Sequence, residues 1–318
     1  MRLEKRNKYR LTGSVHTLTI KTSSGKVKPL SQQAQDCLKK NREHLTPFGE
    51  LESTITINPN QYFADCFTFT GFEATLKKIF DDCKIGDWVF VRTDFRLDNY
   101  DPEHYQAFTK LNRYLLSSLS IAYKLKNNYL THDLLTLRQK TQAIKGNRFE
   151  AEHYNRAIKS AETENTRERA QSRLELRTVA KEWQSIYYGA DVGESNFDLL
   201  RMDLTETWFT RLDAALNHLD EIQMIYNENL EQIYHELMQD KIVRVRSVTD
   251  FILWFQDFIF TKKQLIDLYE RLEPNSRETA AKKATYFKRE YGIEFFSKND
   301  AKYAVNEIKR SILEFFAK

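Results

Sequence analysis

Trp88-Val89-Phe90-Val91-Arg92-Thr93-Asp94-Phe95-Arg96-Leu97-Asp98 is the stretch whose reading decides the fold. Successive side chains of an extended strand point to opposite faces, so Arg96 and Asp98 share one face while Phe95 and Leu97 take the other. Val89 and Val91, set among Arg92, Asp94 and Arg96, extend the alternation toward Trp88. Arg173-Leu174-Glu175-Leu176-Arg177 repeats the pattern, with Arg173, Glu175 and Arg177 on one face. Phe149 to Arg156 is a third such segment, in which Glu150, Glu152 and Tyr154 can share a face. Side by side, the three strands form a surface of carboxylates and guanidinium groups, the donor types suited to a hard cation and an anionic phosphate. The plainer reading is a set of solvent-facing ion pairs on an edge strand.

Outward from these strands the first half continues as sheet with helical insertions. Val15 to Ile20 and Leu51 to Ile57 alternate with period two, the second ending at Asn58-Pro59-Asn60. Gly71 to Asp81 carries Phe72, Leu76, Ile79 and Phe80 on one helical face, and Glu103 to Leu125 repeats apolar residues at three and four. From about Ser195 onward the pattern is helical, with one apolar stripe from Leu204 to Leu237. Ser247 caps a helix expected to run through Phe260, Thr261 one reaching Leu272, and Ser276 one ending near Gly292. Ser297 opens the last helix, to Phe316. The expected class is α+β: an N-terminal antiparallel sheet with helices over residues 1–190, then an all-helical region over 191–318.

Composition narrows the function. The 318 residues are 41% hydrophobic and 30% charged, enough to bury a core and stay in solution, and 9 Gly with 5 Pro leave little for flexible linkers. Cys37, Cys66 and Cys83 form no CxxC pair, which excludes a disulfide framework and the usual zinc spacings. No apolar run is long enough for a membrane span or a secretory signal, so a cytoplasmic location is expected. P-loop, GxGxxG, HExxH and GxSxG motifs are absent, and so is any His-x-His pair. The formal charge of +4 is unevenly spread: residues 1–50 carry 11 Lys/Arg against 4 Asp/Glu and residues 276–318 carry 10 against 6, which leaves the middle at −7. Basic flanks suit a polyanion. They also suit an unevenly charged solvated surface. Lys282, Lys283, Lys288 and Arg289 cluster on one expected helix of a three-helix pattern compatible with helix-turn-helix binding, or with a plain bundle.

Asn58-Pro59-Asn60-Gln61-Tyr62, Arg96-Leu97-Asp98, Tyr154-Asn155-Arg156 and Arg173 to Arg177, in that order, resemble the gene II/X (Cri) group of filamentous-phage replication proteins and the related plasmid rolling-circle initiators. The resemblance spans roughly residues 50 to 180. It implies a degenerate ferredoxin-like sheet that binds an origin and cuts one strand through a tyrosine and Mg²⁺ or Mn²⁺. It assigns Asp98 and Glu175 to the metal and Arg96 and Arg173 to the phosphates; Arg177, on the same face as Arg173, is a further DNA-binding candidate. Leu130 to Glu152 holds no tyrosine, which leaves Tyr129 and Tyr154 as candidate nucleophiles. Two alternatives follow: a strand-nicking initiator, or a non-enzymatic DNA-binding initiator or regulator on the same scaffold. Expected partners are origin DNA, with a host helicase and a second copy of the chain as further candidates.

Overall fold

The structure, a computed structural model, describes residues 10–23, 27–62, 67–125, 141–156, 170–239, 247–274 and 277–317. Its strands are β1 (Leu11–Thr22), β2 (Leu38–Leu45), β3 (Leu51–Ile57), β4 (Trp88–Asn99), β5 (Thr141–Lys145), β6 (Phe149–Asn155) and β7 (Ser172–Thr178). The helices are α1 (Gln32–Cys37), α2 (Phe69–Cys83), α3 (Tyr105–Ala122), α4 (Ala180–Gly189), α5 (Asn196–Met202) and α6 (Trp208–Asn217). They continue as α7 (Leu219–Gln239), α8 (Val248–Trp254), α9 (Lys262–Leu272), α10 (Arg277–Tyr291) and α11 (Lys298–Ala317). The fold is thus α+β, with strands in the first half and helices through the second. No helix among the described residues is long and apolar enough to cross a membrane.

The strands form one sheet in the order β2-β3-β1-β4-β7-β6-β5. β1 pairs antiparallel with β3 and β4, β2 with β3, and β7 with β4 and β6. By packing, the chain falls into two units built from separated segments. One comprises the chain up to Asp101, Lys145–Thr210 and the end from Glu307; the other comprises Pro102–Ile144 and Arg211–Asn306.

In the first unit the apolar face of the sheet is buried. Val15, Leu18, Ile20, Ile55, Ile57, Phe95, Leu97, Leu174 and Leu176 all lie in the core. Phe95 meets Phe315 of α11 edge to face at 5.4 Å, and Phe90 packs on Trp183 of α4 at 4.8 Å. Two bulges in the β1–β4 pairing set which residues face the core. Between Thr19 and Ile20 the partner jumps from Arg92 to Phe90, so Val91 is the extra residue. That slip turns Phe90 inward at 2% exposure and leaves Val89 41% exposed, the reverse of a strict alternation.

Two further elements depart from the pattern read above. β2 is a charged edge strand, exposed along nearly all its length, held by its backbone pairing to β3. The helix opened by Ser247 ends at Trp254, and a 3₁₀ turn at Gln256–Phe258 follows. Phe255, Phe258, Ile259 and Phe260 are all buried, which one helical face cannot achieve. The backbone groups freed by the break are bonded within the second unit. Tyr114 of α3 donates its hydroxyl to the Phe258 carbonyl with Gln264 Oε1 3.0 Å away, and Gln264 accepts from the Phe260 amide at 2.6 Å and donates to the Phe258 carbonyl at 2.8 Å.

Gly13 in β1 has no room for a side chain. A Cβ there would sit 2.7 Å from the Phe95 ring and 3.1 Å from the Ser311 carbonyl of α11. Gly13→Ala is therefore expected to destabilise the protein by about 1–3 kcal/mol through overpacking. Urea denaturation checks this; unchanged stability would mean that α11 does not press on the sheet here.

Candidate functional site: the charged face of the sheet

The opposite face of β4, β6 and β7 carries the charged residues singled out by the alternation. In register, Asp94 faces Arg177, Arg96 faces Glu175, and Asp98 faces Arg173. Across β7, Arg177 faces Glu150, Glu175 faces Glu152, and Arg173 faces Tyr154. Asp98 and Glu175 thus lie on adjacent strands of one face, one register step apart.

The groups bond to each other. Arg173 grips Asp98 with two parallel bonds, Nε to Oδ1 at 2.5 Å and an Nη to Oδ2 at 3.0 Å. Both residues are almost wholly buried, Asp98 at 0% and Arg173 at 2% exposure. Arg177 pairs with Glu175 and with Glu152, the latter at 2.5 Å. Arg92 holds Asp94 at 2.7 Å, and Arg96 donates to Ser14 at 2.7 Å and lies 3.3 Å from Asp98. Tyr154 donates its hydroxyl to Glu175 at 2.6 Å.

The other segments quoted for the resemblance reach the same face. Asn60, in the short turn after β3, donates to the Val15 carbonyl at 2.9 Å and accepts from Arg96 at 3.3 Å. Arg156 lies 5.8 Å from the centre of the Tyr154 ring. His16 joins through the other bulge in β1, where Val15 pairs with Phe95 and Thr17 with Asp94, leaving His16 as the extra residue. Nothing in the alternation signals His16, because a bulge has no period. Arg92 and Asp94 were visible as members of the polar face but not as an ion pair.

Electrostatics follow from this packing. Burial pushes Glu175 upward, but Arg177 and the Tyr154 hydroxyl outweigh it and hold the carboxyl down at about 2. Burial first, then the neighbouring Glu175, raises the Tyr154 phenol well above its ordinary value. A phenol that donates to a carboxylate and resists ionisation is a poor nucleophile. Tyr129 lies outside the described residues.

A hard divalent cation needs several oxygen ligands. Asp98 gives both oxygens to Arg173, Glu175 is shared by Arg177 and Tyr154, and Arg96 stands beside both. The carboxylates in this arrangement do not fit Mg²⁺ or Mn²⁺, since a cation would have to displace guanidinium groups. The same pairing turns Arg96, Arg173 and Arg177 toward carboxylates rather than phosphate. Lys282, Lys288 and Arg289 of α10, in the other unit, are exposed, and Lys283 is half-buried. No protein-family model matches the chain, and no curated protein matches it.

Burial lowers the His16 imidazole to about 4, with Arg173, Arg96 and Arg156 adding to the shift and Glu175 opposing it. An unfolded histidine takes up a proton near pH 6.5, while the folded one stays neutral to about 4. Stability from His16 is therefore complete above pH 6.5 and is lost as pH falls from 6.5 to about 4, a loss of up to about 3 kcal/mol. Glu175 adds a further loss only below its unfolded value of 4.5, toward 2. Urea midpoints of the wild type and His16→Gln between pH 7 and 4.5 should converge as pH falls. A constant difference would show that His16 is not held neutral.

Proposed function

We propose that the chain is a plasmid- or phage-type replication initiator that acts by binding DNA at its origin, without using the charged face as a nicking centre. The observation that supports this reading is the convergence of all four resembling segments. Asn60, Arg96 with Asp98, Tyr154 with Arg156, and Arg173 to Arg177 meet on one face although they are far apart in the chain. Order in the sequence and convergence in space are independent of each other, and a shared scaffold accounts for both.

The binding mode follows from where the cations are. The arginines of the sheet are packed among carboxylates, whereas Lys282, Lys288 and Arg289 of α10 lie on the surface, Arg289 in an exposed pair with Glu290. Cations on one helix face neutralise phosphates, release counterions and so bind duplex DNA in a salt-dependent way. Origin sequence would be read by the same unit; a host helicase and a second copy of the chain are partners of the kind this role requires.

The test has two arms. Affinity for a duplex taken from the non-coding DNA flanking the gene should fall steeply between 50 and 200 mM salt. Lys288→Glu with Arg289→Glu should weaken it about tenfold or more, while Lys181→Glu at an exposed position of α4 changes it less than twofold. Loss of equal size at Lys181, or no duplex binding, would overturn the reading. In the second arm a supercoiled plasmid bearing that DNA is incubated with the protein and Mg²⁺ or Mn²⁺. No covalent protein–DNA product is expected, and a relaxed plasmid carrying attached protein, lost in Tyr129→Phe, would favour the nickase instead.

A further inference from the structure

Within the helical unit, α8 and α10 flank a cavity of about 410 Å³ that is open to solvent and lined by Thr249, Lys282, Lys283, Tyr286 and Tyr291. That volume lies in the range of small-ligand sites. Local sequence builds it. Lys282 and Lys283 precede Tyr286 by four and three residues, so their side chains share its helix face. Lys283 Nζ lies 5.9 Å from the centre of the Tyr286 ring. Tyr291 is the last residue of α10, and Gly292 at φ +65° ends the helix in the left-handed region. The Tyr286 and Tyr291 rings meet edge to face, 5.7 Å apart at 80°.

Tyr286 and Tyr291 are 39% and 43% exposed, so both rings are open to a ligand. Two lysines in the lining repel a cation and favour an anion. Two tyrosine rings favour a flat aromatic group over a bare phosphate, which has no apolar face to cover them. Asp250 and Glu290 lie near Tyr291 and place negative charge on that side, so the anionic part of a ligand belongs with the lysines. A nucleotide combines a flat ring with an adjacent anion, and DNA is the nucleotide polymer that the proposed function brings to this chain. In duplex DNA the faces of a base are covered by its neighbours; in a single strand they can stack on aromatic side chains.

We propose that this cavity binds one unpaired nucleotide of single-stranded DNA, its base against Tyr286 and Tyr291 and its phosphate with Lys282 and Lys283. The choice of DNA rests on the proposed function, but not on duplex recognition by Lys288 and Arg289, and the two are separable by experiment.

The probe is fluorescein-labelled (dT)12, measured by anisotropy against the full chain, beside a duplex of the same length. Tyr286→Ser and Tyr291→Ser should each weaken (dT)12 binding about tenfold or more, as expected for loss of one stacked base. Duplex affinity should move less than twofold. Tyr286→Phe and Tyr291→Phe keep the ring and should stay within about twofold of the wild type, with circular dichroism establishing that each variant is folded. Free dTMP should bind at least tenfold more weakly than (dT)12; equal affinity would replace the strand with a free nucleotide and overturn the proposal. Unchanged (dT)12 binding in the Ser variants, or equal losses for single strand and duplex, would also overturn it. Loss of duplex binding in the wild type alone would leave it standing and remove only the origin-binding reading.

Discussion

Asp98 and Arg173 face each other across β4 and β7 with almost no access to solvent, and everything on that side of the sheet is arranged around their bidentate pair. Burying a carboxylate and a guanidinium is costly unless every remaining lone pair and proton is bonded. That constraint explains the neighbours. Arg96 donates its Nε to Ser14 with Asp98 3.3 Å from the same atom, Asn60 accepts from one of its Nη groups, and Glu175, one step along, is closed by Arg177 and Tyr154. Each charge is compensated by the next, so the face behaves as one cross-strand unit. The β1 bulge sets neutral His16 beside these charges without moving Val15 off the core face, and its buried Nδ1 has no hydrogen-bond partner among the described residues.

The alternation of Phe95-Arg96-Leu97-Asp98 and Arg173 to Arg177 made the sheet and its polar face legible in the sequence, because burial on one side imposes period two. Leu51–Ile57 was legible to the residue for the same reason. Two helix caps were readable too: Ser247 and Thr261 each accept a backbone amide at the expected helix start. Features with no period were not legible. The bulges at His16 and Val91 shift a register without changing composition, and β2 is exposed on both faces, so it has no apolar alternation to show. The stop after Trp254 depends on Tyr114 and Gln264, which lie far away in one case and beyond the break in the other.

The site was half legible. Which side chains share a face could be read; how they divide among themselves could not. Spacing places two carboxylates and three arginines together, and that composition serves a metal-and-phosphate centre or a closed ion-pair lattice equally well. Partner geometry decides between them, and bidentate closure of Asp98 with a phenol bonded to Glu175 favours the lattice. The helical unit holds the reverse case. Lys282, Lys283 and Tyr286 stand at helical spacing in the sequence, but only the fold sets Tyr291 and Thr249 beside them.

The account stands on Asp98 and Arg173 acting as one bonded unit, and a double-mutant cycle measures that directly. Asp98→Asn and Arg173→Met each leave a buried charge without its counterpart, so each should destabilise by about 3–5 kcal/mol in urea denaturation. The double variant removes both charges and should cost about 2 kcal/mol or more less than the sum of the two. Losses that add to within about 0.5 kcal/mol would show two independent charges and contradict the lattice.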